Sequence, residues 1–447
     1  MDFVCLLLLW VLSFALFFIN KRFWHSCKKE CLRVSANSFY IDLIFQVFQL
    51  RIILYYTLPA ITRFFYLWKN DYLDHVTPFE IVIVYFFELI SHIIYYLVMY
   101  NLLKQNKKDL SLKTENNKVL EVIAVVSLLL YCYFSISGFS LNGSSDELPS
   151  DNLWMIKPLM TIVGSVSCFY VFVLGKKYWG KWIIFIAFCT IVIYLGISFF
   201  SGVRGTVFWP IIWMFFCAWY FRKEIIRKYL FSGLIILVLL GMFQGGMVAF
   251  RNEESTSFTE FFNFLQSSKN KEDKSLLEEI DYRFGALTRY SVGFIRMTER
   301  GYYAGLNPVI NSFYSPIPRS IMPDKPVPCS ANGDLYSMGM YLCVSEIVHD
   351  SYSMVEFSTA AHSYWEIGVL GLLLYSAIPA FYIFFSIKFF RKFDLLGPCF
   401  FFSVLKPWGY NDPKIWVSEI IMQIPQIILI SYLLLFLYRK FKPHKLI

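Results

Sequence analysis

The sequence predicts an all-α polytopic membrane protein, and three observations predict it. The first is composition: of 447 residues, 57% are hydrophobic and 16% are charged, whereas soluble domains carry roughly 25% charged residues. The mean hydropathy is +0.52, and no soluble fold has an interior large enough to hide so much apolar surface. The second is a series of apolar runs long enough to cross about 30 Å of hydrocarbon. The third is an alternation of lysine- and arginine-rich connections with nearly uncharged ones, the pattern left by positive charge gathering on the cytoplasmic side. The net charge of +9 is accounted for by those loops, so composition gives no reason to expect a nucleic-acid partner.

The apolar runs fall at 3–19, 40–61, 79–103, 119–138, 153–175, 182–200, 206–221, 229–249, 361–387, 395–406 and 417–438, about eleven transmembrane helices, with 395–406 short for a span. The first, MDFVCLLLLWVLSFALFFI, has the length of a signal peptide but begins with Asp2 where a basic segment belongs. It is followed by Lys21, Arg22, Lys28, Lys29 and Arg33 and not by a small-residue cleavage site, so it reads as a retained helix entering from outside. The connections 20–39, 104–118, 176–181, 222–228, 388–394 and 439–447 hold about two dozen Lys and Arg, and the alternate short ones about four, which places the N-terminus outside and the C-terminus inside.

One connection differs. Residues 250–360 form an outer segment of roughly 110 residues, far beyond the length of an ordinary loop. Its stretch DYRFGALTRYSVGFIRM (281–297) is apolar-periodic, which predicts a partly helical segment packed over the bundle. The chain therefore divides into helices one to eight (1–249), the large loop (250–360) and helices nine to eleven (361–447). Of the ten cysteines, Cys329 and Cys343 lie in the large loop, where an oxidising compartment would let them pair.

The residues able to carry chemistry gather on the outer side. SGVRGTVFWP (201–210) sets Arg204 between glycines in a short turn, where the backbone bends tightly and a ligand can approach. Snorkelling to lipid headgroups is the plainer role for such an arginine. Arg289, Arg296 and Arg300 are spaced to share one helical face, as a solvated face or as an anion site. An arginine fork suits phosphate, to which it donates two parallel hydrogen bonds. Arg251, Arg283, Arg319 and Lys325 stand in the same segment, and the five prolines of NSFYSPIPRSIMPDKPVP (311–328) enforce a stiff strap able to aim Arg319 and Lys325.

STAAHSYWEIGVLG (358–371) follows. Ser358 or Thr359 is placed to cap a helix start. His362 and Glu366 are one turn apart on one face, the spacing of a general base and its orienting carboxylate; an interfacial aromatic belt is the structural alternative. Gly368 and Gly371 read as points of close helix approach. Arg51, Glu88 and His92 lie inside predicted spans and require partners, either as a structural Arg51–Glu88 pair or as a proton relay. No CxxC, HExxH, P-loop or Rossmann glycine pattern occurs, and neither a metal nor a cofactor is expected.

Four of these features together resemble the bacterial O-antigen polymerases of the Wzy type, within the wider polymerase and ligase group: SGVRG, RYSVGFIRMTERG (289–301), PRSIMPDKP (318–326) and HSYWEIGVLG. The resemblance covers about residues 200–375, beyond which it amounts to hydrophobic helices alone. It implies a type-C glycosyltransferase-like fold in the bacterial inner membrane, with a periplasmic N-terminus and a cytoplasmic C-terminus. It implies transfer of a growing glycan from undecaprenyl diphosphate to a hydroxyl of another lipid-linked repeat unit, in lipopolysaccharide biosynthesis, with a flippase and a chain-length regulator as partners. In that reading Arg204, Arg289, Arg251, Arg296, Arg319 and Lys325 bind diphosphate or substrate, and His362 and Glu366 are catalytic in an inverting, metal-independent transfer. The Pro-rich strap favours a polymerase. An O-antigen ligase using a lipid A–core acceptor, and a lipid-linked glycan flippase favoured by Arg51, Glu88 and His92, are the alternatives.

Overall fold

The computed structural model describes residues 2–66, 76–106, 108–111, 285–307, 321–324 and 358–391, with single positions at 213, 216, 219, 220, 310, 314, 317, 401, 402, 405, 432 and 436. Of these residues 83% are helical and none lies in a strand. Four helices are long and apolar enough to cross a membrane, Phe3–Leu32, Phe39–Phe64, Pro78–Gln105 and Val369–Phe390, and they coincide with the predicted first, second, third and ninth spans. The other predicted spans, apart from those single positions in 206–221, 395–406 and 417–438, lie outside the described residues, as do Arg204, Arg251, Arg283, Arg319, Lys325, Cys329 and Cys343.

The chain divides into two compact units, the first comprising Met1–Lys113, Lys274–Lys392 and Val404–Ile424. It thus draws together pieces far apart in sequence. In the second unit Trp213 stacks on Phe402, with ring centroids 4.4 Å apart.

Helix α1 (Asp2–Leu32) is apolar on two faces. Leu6, Leu9 and Leu16 are buried among its neighbours, while Phe3, Leu7, Val11, Phe14 and Phe18 are exposed. Such a helix needs an apolar medium on its outer side. It continues past the apolar run 3–19 into the basic cluster, where Lys28 holds the buried Asp42 at 2.9 Å beside the Trp24 indole N–H, also 2.9 Å from that carboxylate.

The second span is compound: α2 (Phe39–Ile52), a π-helical turn Ile53–Thr57 and α3 (Leu58–Tyr66). Pro59 explains the turn. Its ring displaces the carbonyl four residues earlier and it has no N–H to donate, so the helix widens just before it. Tyr85 of the next span donates to the Tyr56 carbonyl in that turn at 2.8 Å.

The third span, α4 (Pro78–Gln105), opens with a full capping box: the Thr77 side chain accepts from Glu80 N–H, the Glu80 carboxylate accepts from Thr77 N–H, and Pro78 occupies the first turn. At the other end of the bundle stand Lys28, Lys29, Arg33, Lys104, Lys108, Lys388 and Arg391, the end expected to face the cytoplasm.

Two short helices and a further span complete the described part of the unit. Helix α5 (Ala286–Glu299) is the apolar-periodic segment of the large loop. Helix α6 (Thr359–Ile367) precedes α7 (Val369–Phe390). Leu287, Val292 and Ile295 of α5 and Ala361 of α6 join one buried cluster with Leu6 and Leu9 of α1, Ala60 of α3 and Ile81, Val84 and Tyr85 of α4. One end of α5 is bonded near the C-terminus of α3 and the other at the N-terminus of α4 (below), so α5 lies across that end of the bundle.

The sequence reading of 361–387 as one helix is corrected here. Gly368 adopts φ +65° and ψ −145°, a conformation strained for residues with a side chain, and it separates α6 from the membrane-spanning α7. Gly371 of α7 does stand at a close helix approach, as its residue type suggested: a Cβ there would overlap the Ser363 carbonyl oxygen of α6.

Candidate functional site

The site is built where α5 and α6 meet the spans. Ser358 caps α6, its hydroxyl accepting from Ala361 N–H at 3.3 Å, as its residue type predicts. The same hydroxyl donates to the Glu88 carboxylate at 2.5 Å, and Ser358 N–H donates to Ser291 Oγ on α5 at 2.7 Å. One residue therefore ties the start of α6 to α4 and to α5.

Glu88 is the hub of the intramembrane group. Arg51 Nη2 approaches its two oxygens at 3.3 and 3.4 Å, and both residues are buried. His92 Nδ1 lies 2.8 Å from the Glu88 backbone carbonyl and 3.5 Å from its carboxylate. A carbonyl can only accept, so Nδ1 carries the proton. The Arg51–Glu88 pair expected from sequence is present. The hydroxyl joining it to the His362 helix was not anticipated.

His362 and Glu366 share a face of α6 as their spacing requires. His362 Nδ1 stands 3.1 Å from Glu366 Oε1, with each side chain only 1% exposed. The imidazole is packed by Phe294 of α5, centroids 4.9 Å apart, and edge-on by Trp365 at 5.2 Å. Tyr375 of α7 faces the Glu366 carboxylate. The C-terminal carbonyls of α6 are also met: Ala304 N–H donates to Trp365 O at 3.2 Å and Gly305 N–H to Glu366 O at 2.9 Å. Those donors come from the loop leaving α5, which is turned by Gly301 at φ +84°. Its Gly301 and Tyr302 N–H groups close on the carbonyls of Thr298 and Met297 in a Schellman end.

The arginines of α5 do not form one open face. Arg296 grips Glu80 with Nε and Nη2, at 2.6 Å to Oε1 and 2.9 Å to Oε2, so an anion would have to share or displace that carboxylate. Arg300 is exposed and lies past the helix end. Arg289 is half-buried near the other end of α5. Of the two readings of that face, neither holds at Arg296, whose charge is met by a carboxylate of the protein itself.

An arginine that the sequence reading left in a connection is central to the packing. Arg63, buried on α3, donates to Thr288 Oγ1 at 2.9 Å and to Gly285 O at 2.8 Å. The signals for the missed partners were partly present: Thr77-Pro-Phe-Glu80 is a capping-box sequence, and Arg63 stands just beyond an apolar run that its helix continues.

Compared with protein-family models, with curated proteins and with solved structures, the chain matches none. No group of three or more His, Cys, Asp or Glu able to hold a metal occurs among the described residues.

Proposed function

We propose that the chain is an O-antigen polymerase of the Wzy type, joining lipid-linked oligosaccharide repeat units at the periplasmic face of the inner membrane. The observation that carries the reading is the buried His362–Glu366 pair, 3.1 Å apart, on a short helix bonded to the arginine-bearing helix α5. Glu366, 3.1 Å from Nδ1, takes the Nδ1 proton in a hydrogen bond once the two groups align for reaction, and Nε2 serves as the base. An acceptor hydroxyl gives its proton to Nε2 as its oxygen bonds to the anomeric carbon of the donor. The bond from that carbon to the diphosphate breaks, and the electron pair leaves with the diphosphate. Attack opposite the leaving group inverts the anomeric centre. Arg289, with Arg204, Arg251, Arg319 and Lys325 by resemblance, neutralises the departing charge. Arg296 shares that role only on release from Glu80.

Both catalytic groups are closed from solvent, so the acceptor reaches them after Phe294 and its helix move aside. Closure of that kind excludes water, which would otherwise compete as acceptor.

The test is the surface-glycan ladder of cells lacking the protein, complemented with wild type, Arg289→Ala or His362→Ala at matched membrane abundance. Deletion is expected to leave core bearing a single repeat, with His362→Ala held at that band. Bare core with polymer accumulating on the carrier lipid would make the protein a ligase. Bare core without carrier-linked polymer would support the flippase reading, which the buried Arg51–Glu88–His92 group favours.

A further inference from the structure

The segment leaving α5 exposes large apolar side chains: Tyr303, Leu306, Ile310 and Tyr314, then Ile321, which is 75% exposed. Leu306, Ile310 and Tyr314 are four residues apart, and Ile310 N–H donates to Leu306 O at 2.9 Å, so the first two stand one above the other on a helical turn. Between them in sequence stand Asn307, Asn311 and Ser312 with the apolar Pro308, Val309 and Phe313. Large apolar side chains left open in succession need an apolar neighbour.

Its place in the unit says which neighbour. The backbone beside Tyr303 is fastened to the C-terminus of α6 through Ala304 and Gly305. A Cβ on Gly368 would lie 3.9 Å from the Tyr303 ring. The next two residues, Val369 and Leu370, begin the membrane-spanning α7 and are 62% and 66% exposed, which for the opening turn of a span means that they face lipid. The exposed apolar surface therefore runs from the lipid-facing start of α7 through Tyr303 onto the segment.

We propose that Tyr303, Leu306, Ile310, Tyr314 and Ile321 mark a ledge seated in the bilayer interface at the end of the bundle that carries α5, with Leu306, Ile310 and Ile321 immersed in lipid and Tyr303 and Tyr314 at headgroup level. Interfacial elements of this kind sink their apolar side about 5–10 Å below the headgroups, and tyrosine is enriched at that boundary. The ledge would hold α5, and the loop that bonds the end of α6, at a fixed height on the membrane. The inference does not depend on the reaction proposed above.

The test places a genetically encoded environment-sensitive fluorophore singly at 306, 310 and 321 of the full chain in lipid nanodiscs, with 299 and 324 as controls. Quenching by lipids spin-labelled near the headgroup is compared with quenching by aqueous iodide. The expected result is severalfold stronger lipid quenching and severalfold weaker iodide quenching at 306, 310 and 321 than at Glu299 and Asp324. Iodide quenching equal to the controls would overturn the proposal. Protection from both quenchers would also overturn it, by showing that the stripe is covered by protein, such as a second copy of the chain.

Discussion

The unit contains two buried glutamate–histidine pairs, each four residues apart on a helix, and they are built for different ends. At Glu88 the carboxylate faces Arg51, whose charge is permanent, and accepts the Ser358 hydroxyl. The proton on His92 Nδ1 is spent on a backbone carbonyl. At Glu366 the same spacing runs in the opposite order: Nδ1 of His362 stands 3.1 Å from the carboxylate itself, and the other identified neighbour is a tyrosine. The first pair fixes a charge in place; the second couples groups that can exchange protons. The lesson is that His–Glu spacing on a helix does not define a catalytic dyad, and the third partner decides its use.

The largest expected effect tests the structural pair. Glu88→Ala leaves Arg51 buried without its counter-charge, which costs about 3–5 kcal/mol, enough to remove most folded protein, read as membrane abundance and thermal stability in detergent. Combining Glu88→Leu with Arg51→Met should recover much of the loss, because an apolar pair needs no compensation. Wild-type stability of Glu88→Ala alone would break the comparison.

The next effect tests the chemical pair. Glu366→Gln keeps shape and should lower stability by no more than ~1–2 kcal/mol. It should slow glycan elongation by roughly 10²–10⁴-fold, the scale of lost general-base catalysis, seen as a ladder stopped at one repeat. If stability and elongation fall together at Glu366 as at Glu88, the two pairs are not different in kind.

Arg63→Met removes the bonds to Thr288 and Gly285 and should cost ~1–3 kcal/mol, with faster amide exchange confined to 285–299. Exchange that rises across α4 as well would mean that α5 is not an independently docked element. The smallest effect belongs to Gly301→Ala. Open space surrounds that position, so the cost is backbone strain alone, about 1 kcal/mol, and it should appear as a small drop in melting temperature.

The four spans were legible because an apolar run in a membrane protein announces its own environment, and the Ser358 cap and the His362–Glu366 spacing were legible because both are local. Gly368 was misread: glycine serves close packing and left-handed turns equally, and only the backbone angle tells them apart. Arg296 was assigned to an external anion because Glu80 lies 216 positions away in sequence, where periodicity carries no information. Arg63 was hidden by the same kind of separation, 225 positions from Thr288.

Those separations bear on how the chain is made. Glu88 must wait for Ser358, 270 residues later, which at about 5–20 residues per second is roughly 15–50 s of synthesis. Until then the early helices stand in the membrane with a polar notch that α6 has not yet filled. The unit is finished by its late segments, as a keystone finishes an arch, and a chain halted before residue 358 would hold every early span and no site.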